Sequence, residues 1–306
     1  MLGSRTKEES FAKKYFFLII GITIVFWALA FPFIKIGLEE LSPVNLTIMR
    51  LLVVCIVFLI IIAIMPKKFS KPNKKDIIPI FFLGFLGIIV YHLGLNYGEQ
   101  YISASVASLI IATIPIFVVV LAVIFLREKI TSKIVLGVTL SLVGVVIIST
   151  ASKPTASLEI KYLSGAIAVL IAAMVAAGYT VAGKKMLSRY SPLSLTVYAF
   201  LFGSIGLIPF ISVSLFEEVT AMSIRGWIIV LFLGLCPTVI AYVLWYVALE
   251  IKSASKIGVY LYFIPILSTI ISYLLLQERI TRLFIIGGAL VIIGLYIVNK
   301  QEVNVT

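Results

Sequence analysis

Residues 101–144 read YISASVASLIIATIPIFVVVLAVIFLREKITSKIVLGVTLSLVG, and residues 251–294 read IKSASKIGVYLYFIPILSTIISYLLLQERITRLFIIGGALVIIG. Laid over one another, Ser103-Ala104-Ser105 meets Ser253-Ala254-Ser255, and Ile114-Pro115-Ile116 meets Ile264-Pro265-Ile266. Glu128 and Ile130-Thr131 meet Glu278 and Ile280-Thr281, while Gly137 and Gly144 meet Gly287 and Gly294. The offset of 150 residues carries upstream, where Leu83-Gly84 meets Leu233-Gly234, and at 149 Ser42-Pro43 meets Ser191-Pro192. So many glycines, prolines and short strings do not coincide by chance. The chain is an internal duplication.

Both copies are apolar throughout. A bilayer core takes about 20 apolar residues per helix. Ten such runs are marked, at roughly 15–35, 45–65, 77–98, 101–126, 132–151, 162–183, 192–215, 226–249, 256–277 and 282–299. Backbone polar groups in lipid must be satisfied within the segment, which selects helices. A barrel needs alternating apolar and polar residues, and these runs do not alternate. The whole chain agrees: of 306 residues 62% are hydrophobic and 12% charged, too few charges for the surface of a soluble domain of this size. The expected fold class is all-α integral membrane, with ten transmembrane helices as two inverted five-helix repeats. Inversion follows from the odd number of spans per half, which makes the second half enter from the opposite side.

The net charge of +12 does not point to nucleic acid, because the basic residues lie in short loops between the apolar runs. They report orientation instead. With the N-terminus inside, one face holds Arg5, Lys7, Lys13, Lys14, Lys67, Lys68, Lys71, Lys74, Lys75, Arg127, Lys129, Lys133, Lys184, Lys185, Arg189, Lys252, Lys256 and Lys300. The other holds Lys35, Arg50, Lys153, Lys161, Arg225, Arg279 and Arg282. The expectation is a multi-pass protein of the cell membrane with both termini cytoplasmic. Its parts are a cytoplasmic segment 1–14, a first repeat 15–151, an external linker 152–161, a second repeat 162–299 and a cytoplasmic tail 300–306. The basic N-terminus precedes a run too long for a signal peptide, so that run is read as the first span.

Several polar residues fall inside the spans. His92 is the single histidine of the chain, and Asn96 and Glu99 follow at i+4 and i+7 on the same helix face. This stripe suits substrate hydrogen bonding or a proton relay, with His92 and Glu99 as the candidates for coupling. The alternative is a neutral histidine bonded to a neighbouring helix. Tyr242, Trp245 and Tyr246, with Thr238 one turn earlier, share a face of the eighth span, and Tyr260 and Tyr262 follow in the ninth. Ring faces can stack a substrate or hold a cation. The same rings also suit an interfacial belt or helix packing. Trp27 and Tyr179 are similar candidates. Arg50 opens the second span, and is read as snorkelling to the interface or pairing with Glu39 or Glu40 rather than contacting an anion.

Pro115 and Pro265 occupy matching mid-span positions, where a proline frees a carbonyl and kinks the helix. Paired interrupted helices point to a binding region, with packing as the plainer reading. Ser103, Ser105 and Ser108 precede one, Ser253 and Ser255 the other, allowing close helix approach. Glu128 and Glu278 are expected to cap the helix that follows each, with Thr131 and Thr281 near its start. Cys55 and Cys236 read as small buried hydrophobes. The sequence carries no nucleotide-binding glycine-rich loop, metal-ligand cluster or nucleophile motif, so neither cofactor nor metal is expected and the chain is read as no enzyme.

These residues carry a resemblance. The chain resembles the drug/metabolite transporter superfamily, specifically its EamA-type ten-helix members, over nearly its whole length. Trp27 is similar to that family's tryptophan motif, although Ala28-Leu29-Ala30 replaces the usual Gly-Ser/Thr after it. Arg50 is similar to its recurrent arginine. The string from Tyr101 through Pro115 and Leu126–Thr131 to Gly144, repeated from Lys252 to Gly294, resembles its carboxy-terminal repeat signature. Tyr91-His92 is similar to a Tyr-His pair of the family's aromatic amino acid exporters.

The resemblance implies export or exchange of a small metabolite by alternating access, through a cavity formed by the first, third, fourth, sixth, eighth and ninth spans. The expected partners are a small-molecule substrate, the bilayer and a coupling proton, with monomer and homodimer both open. The expected substrate-binding set is Tyr91, His92, Asn96, Trp27, Tyr179, Tyr242, Trp245, Tyr246 and Tyr262. A channel or receptor remains as the alternative, with a membrane enzyme behind it.

Overall fold

The computed structural model describes residues 14–69, 71–126, 132–151, 160–252 and 257–302. The expectations on Glu128, Thr131, Ser253 and Ser255, on the external linker, and on most of the two terminal segments lie outside the described residues. Among the described residues the chain is all helix, with no strand. In order the helices are α1 (Phe16–Gly37), α2 (Pro43–Ile64), α3 (Lys74–Tyr101), α4 (Ala104–Ile111), α5 (Ile114–Leu126) and α6 (Ser132–Ala151), then α7 (Ile160–Met186) and α8 (Pro192–Ser204). They continue as α9 (Val213–Ala221), α10 (Ile224–Ile251), α11 (Phe263–Leu276) and α12 (Arg282–Glu302).

Six helices are long and apolar enough to cross a membrane: α1, α2, α3, α7, α8 with its 3-10 extension to Phe210, and α10. The shorter apolar helices α4, α5, α11 and α12 pack among them, and α12 lies along α6. Their outward surfaces are apolar, as at Phe17 on α1, Ile64 on α2, Ile228 on α10 and Leu274 on α11. A contiguous apolar exterior of this kind is stable in lipid and not in water. The protein is a multi-pass membrane protein.

The local chemistry repeats with the sequence. Ser42 and Ser191 each stand before a proline, and their hydroxyls accept from the amides of Asn45 and Ser194 at 3.4 and 3.2 Å, capping α2 and α8. Proline at the first helical position loses no hydrogen bond there. Lys35, near the end of α1, donates to the carbonyls of Glu99 and Ile102 at 2.5 and 2.9 Å, closing the C-terminus of α3. Its counterpart Lys184 does the same for α10, through the carbonyls of Leu249 and Lys252. Each cation sits on the negative end of a helix dipole. Loop pairs match as well: Arg189 with Asp76 at 2.7 Å, and Arg225 with Glu39 at 3.2 Å.

Three boundaries differ from the sequence expectation. The fourth run is broken at Ala112-Thr113, between α4 and α5, so Pro115 lies in the first turn of α5 instead of kinking a continuous helix. A proline loses no intrahelical bond in a first turn, so this break precedes Pro115. Before Pro265 the helical path is continuous, 3-10 at Val259–Tyr262 and α from Phe263, so this proline follows an irregular turn of one helix. The seventh run ends at Phe210, and the residues after it start the separate helix α9.

The π turns were not foreseen. α3 contains one at Phe85–Val90 and α10 one at Leu235–Ile240, 150 residues apart. Such turns swell a helix locally and re-aim its side chains.

Candidate functional site

A cavity opens among the helices beside the π turn of α3, which gives it Gly87. Its walls come from mid-helix residues of α1, α2, α3, α7 and α10, completed at the α4–α5 break and the start of α11. α1 gives Trp27, Ala30 and Phe31, α2 gives Arg50, and α3 gives Gly87, Tyr91 and Leu95. Ile111 and Ile114 flank the α4–α5 break, α7 contributes Ala176, Tyr179 and Thr180, and α10 contributes Tyr242 and Trp245. Leu261 and Ile264 close it from the turn before α11 and from α11 itself.

The aromatic wall is one connected set. Trp27 meets Tyr242 edge-on at 5.6 Å and Trp245 at 5.1 Å, and Tyr179 meets Tyr242 at 5.8 Å. Behind it Tyr246 stacks on Tyr179 at 5.0 Å. Two glycines let these rings in: a Cβ on Gly87 would lie 2.4 Å from Tyr179, and one on Gly183 would lie 2.1 Å from the Tyr246 hydroxyl.

The π turn of α10 anchors the polar part. The Thr238 hydroxyl donates to the Leu233 carbonyl at 2.7 Å, five residues back, and accepts from Arg50 Nε at 2.7 Å. One residue earlier, the Pro237 carbonyl accepts from Trp27 Nε1 at 2.9 Å. A single irregular turn thus holds the tryptophan of α1 and the arginine of α2. Arg50 is 3% exposed, and no protein group accepts from its Nη1.

Of the residues the sequence singled out, Trp27, Tyr91, Tyr179, Tyr242 and Trp245 line the cavity. His92, Asn96, Glu99, Tyr246 and Tyr262 do not. His92 is fully buried behind the wall, with Nδ1 donating to the Ile88 carbonyl at 2.7 Å and its ring against Tyr91 and Tyr242. Asn96 donates to Thr47 of α2 at 2.9 Å. Glu99 is fully buried, and neither carboxylate oxygen has a protein partner. Tyr262 is half-buried at the 3-10 turn.

Two expectations are corrected. Arg50 neither snorkels nor pairs with Glu39 or Glu40. Glu39 pairs with Arg225 and Glu40 with Ser223, while Arg50 points inward to Thr238. Glu278 does not cap the helix after it. It accepts from the amides of Ala104 and Ser105 at 2.8 and 3.1 Å and from the Ser105 hydroxyl at 2.5 Å, capping α4 of the other half. Thr281 does cap its own helix, accepting from the amide of Phe284. Among the described residues no group of His, Cys, Asp and Glu side chains is placed to hold a metal ion.

Known proteins are similar to this chain over nearly its whole length. The profile of the EamA-like transporter family matches twice, over residues 14–150 and 163–300. The chain belongs to the EamA-like transporter family. It is therefore a transporter and not an enzyme, and it moves a small molecule across a lipid bilayer. An "uncharacterized transporter" of Archaeoglobus fulgidus is 38% identical, over 93% of this chain and 99% of its own length. A "probable terminal-alkyne amino-acid exporter" of Streptantibioticus cattleyicolor is 32% identical, over 92% of this chain and 93% of its own. A crystal structure 20% identical in sequence superposes with a TM-score of 0.63, over 93% of this chain and 96% of that one, which speaks to the fold alone.

Proposed function

We propose that this protein is a secondary active transporter that exports or exchanges a small metabolite, an amino acid, across the cell membrane. The cavity carries the reading: it lies among the helices, is mostly apolar, and is built from matching helices of both halves. Sites at the interface of inverted repeats serve alternating access, in which one half rocks against the other around the bound substrate. In this reading residues 15–151 and 162–299 are two inverted five-helix repeats joined by the external linker 152–161. The ten spans count α4 with α5 as one, together with α6, α11 and α12. Both termini face the cytoplasm, as the loop lysines and arginines favour.

The amino-acid substrate is supported by the printed activity of the Streptantibioticus cattleyicolor relative. Trp27, Tyr91, Tyr179, Tyr242 and Trp245 contact the substrate, and Tyr246 holds Tyr179 in place. His92, Asn96 and Glu99 form a buried stripe behind the wall, and we assign it to a coupling proton. The test is counterflow in proteoliposomes with labelled amino acids, nucleosides and quaternary amines. Saturable exchange, accelerated by unlabelled substrate on the far side, is expected. Flux that neither saturates nor shows counterflow marks a channel instead.

A further inference from the structure

The guanidinium of Arg50 is a permanent charge held inside the bilayer, 3% exposed. A charge so placed is costly unless it is paired and its donors are satisfied. Here one donor is satisfied, Nε on Thr238, and Thr238 is neutral. No protein group accepts from Nη1. The acidic group whose field reaches Arg50 is Glu99, and it makes no hydrogen bond to it and does not line the cavity. Arg50 does line the cavity, and among the lining residues it is the one charge. The π turn of α10 spends its irregular geometry on holding this side chain in place.

A buried guanidinium at a cavity wall, with a donor left unpartnered, suits a planar oxyanion. The rest of the wall limits what carries that anion. With one cation and no acid in the lining, a single negative charge is neutralised and a second is not. The remaining surface is rings and branched aliphatics, which fit an apolar body. An ammonium group finds no carboxylate here, but the faces of Trp27, Tyr242 and Trp245 hold a cation without one.

We propose that Arg50 is the substrate anchor, and that the substrate is a small monocarboxylate with an apolar side chain. The carboxylate pairs with the Arg50 guanidinium, and the apolar side chain packs among the rings. In an amino acid the ammonium group rests on an aromatic face. This deepens the transporter reading above and rests on it.

The test uses labelled leucine and phenylalanine in counterflow with the full-length protein. Leucinamide, which lacks the carboxylate, and 4-methylpentanoate, which lacks the ammonium, serve as competitors. Leucinamide is expected to compete at least roughly tenfold more weakly than leucine, the loss of one strong interaction. 4-Methylpentanoate is expected to stay within a few-fold of leucine. Arg50→Gln is expected to abolish leucine counterflow, and Arg50→Lys to retain part of it. The series on unaltered protein stands even where a variant fails to insert. If leucinamide competes as well as leucine, the anchor is wrong while the transporter reading holds. If nucleosides or quaternary amines exchange and no carboxylate does, the substrate class is wrong and the transporter reading again holds. If nothing exchanges, both fall together.

Discussion

Thr238→Val removes a hydroxyl and keeps the shape of the side chain. Two bonds disappear, to the Leu233 carbonyl and from Arg50 Nε, each 2.7 Å long. The Leu233 carbonyl, whose i+4 residue is Pro237 without an N–H, loses a neutral donor, and Arg50 loses the acceptor of a charged one, so the larger loss is at Arg50. A hydrogen bond to a charged group is worth about 1.5–3 kcal/mol, and leaving a buried charged donor without a partner sits at the upper end. At 1.4 kcal/mol per decade this is roughly a 10- to 150-fold change in an equilibrium constant. The loss divides between the fold and the orientation of the guanidinium. Thermal unfolding in detergent is expected to move down by several degrees, and the apparent KM for substrate to rise about tenfold. Thr238→Ser restores the hydroxyl without the methyl and is expected to recover most of both. If Val and Ser behave alike, the hydroxyl does not orient Arg50 and the role given to the π turn is refuted.

Other perturbations probe independent parts of the structure. Glu278→Ala strips three hydrogen bonds from the first turn of α4. Loss of an N-cap costs about 0.5–2 kcal/mol, so amide hydrogen exchange at Ala104 and Ser105 is expected to quicken by roughly 2- to 30-fold. Gly84→Ala brings a Cβ to 1.9 Å from the Ala199 carbonyl, forcing α3 from α8, and is expected to yield little folded protein on size exclusion. Gly21→Ala meets nothing within 4 Å and is expected to leave the melting temperature unchanged or slightly higher. Glu40, in the turn between α1 and α2, has its acidity increased by hydrogen bonds from the side chain and amide of Ser223. An acid held below its ordinary value stabilises the fold above that value and loses the effect as pH falls through its folded one. Melting temperature is therefore expected to fall as pH drops below 4.5, less steeply in Glu40→Gln.

The helical membrane fold and its duplication were legible because both are carried by long-range patterns. Length of apolar run and the 150-residue offset do not depend on packing. Trp27, Tyr179 and Tyr242 were legible as candidates because large rings deep in a span have few other uses. What the sequence hid was register. The π turns at Phe85–Val90 and Leu235–Ile240 shift every later side chain on their helices, and no composition rule marks them beyond Gly84, Gly87 and Pro237. His92 was read as facing a cavity because an ionisable residue inside a span usually does, yet it is buried next to the lining residue Tyr91.

Arg50 was misread for a related reason. An arginine eight residues into a span can reach the interface, and only the partner on α10 shows that it turns inward. Glu278 was misread because a cap between halves looks, in sequence, like a local one.

The most direct test of the central cavity is to fill it without touching its polar groups. Ala176 lines it from α7, and Ala176→Trp adds an indole there. With membrane insertion and monodispersity matched to the unaltered protein, counterflow in proteoliposomes is expected to fall to background. Exchange at the unaltered rate through the filled protein would place the substrate path elsewhere and contradict the account.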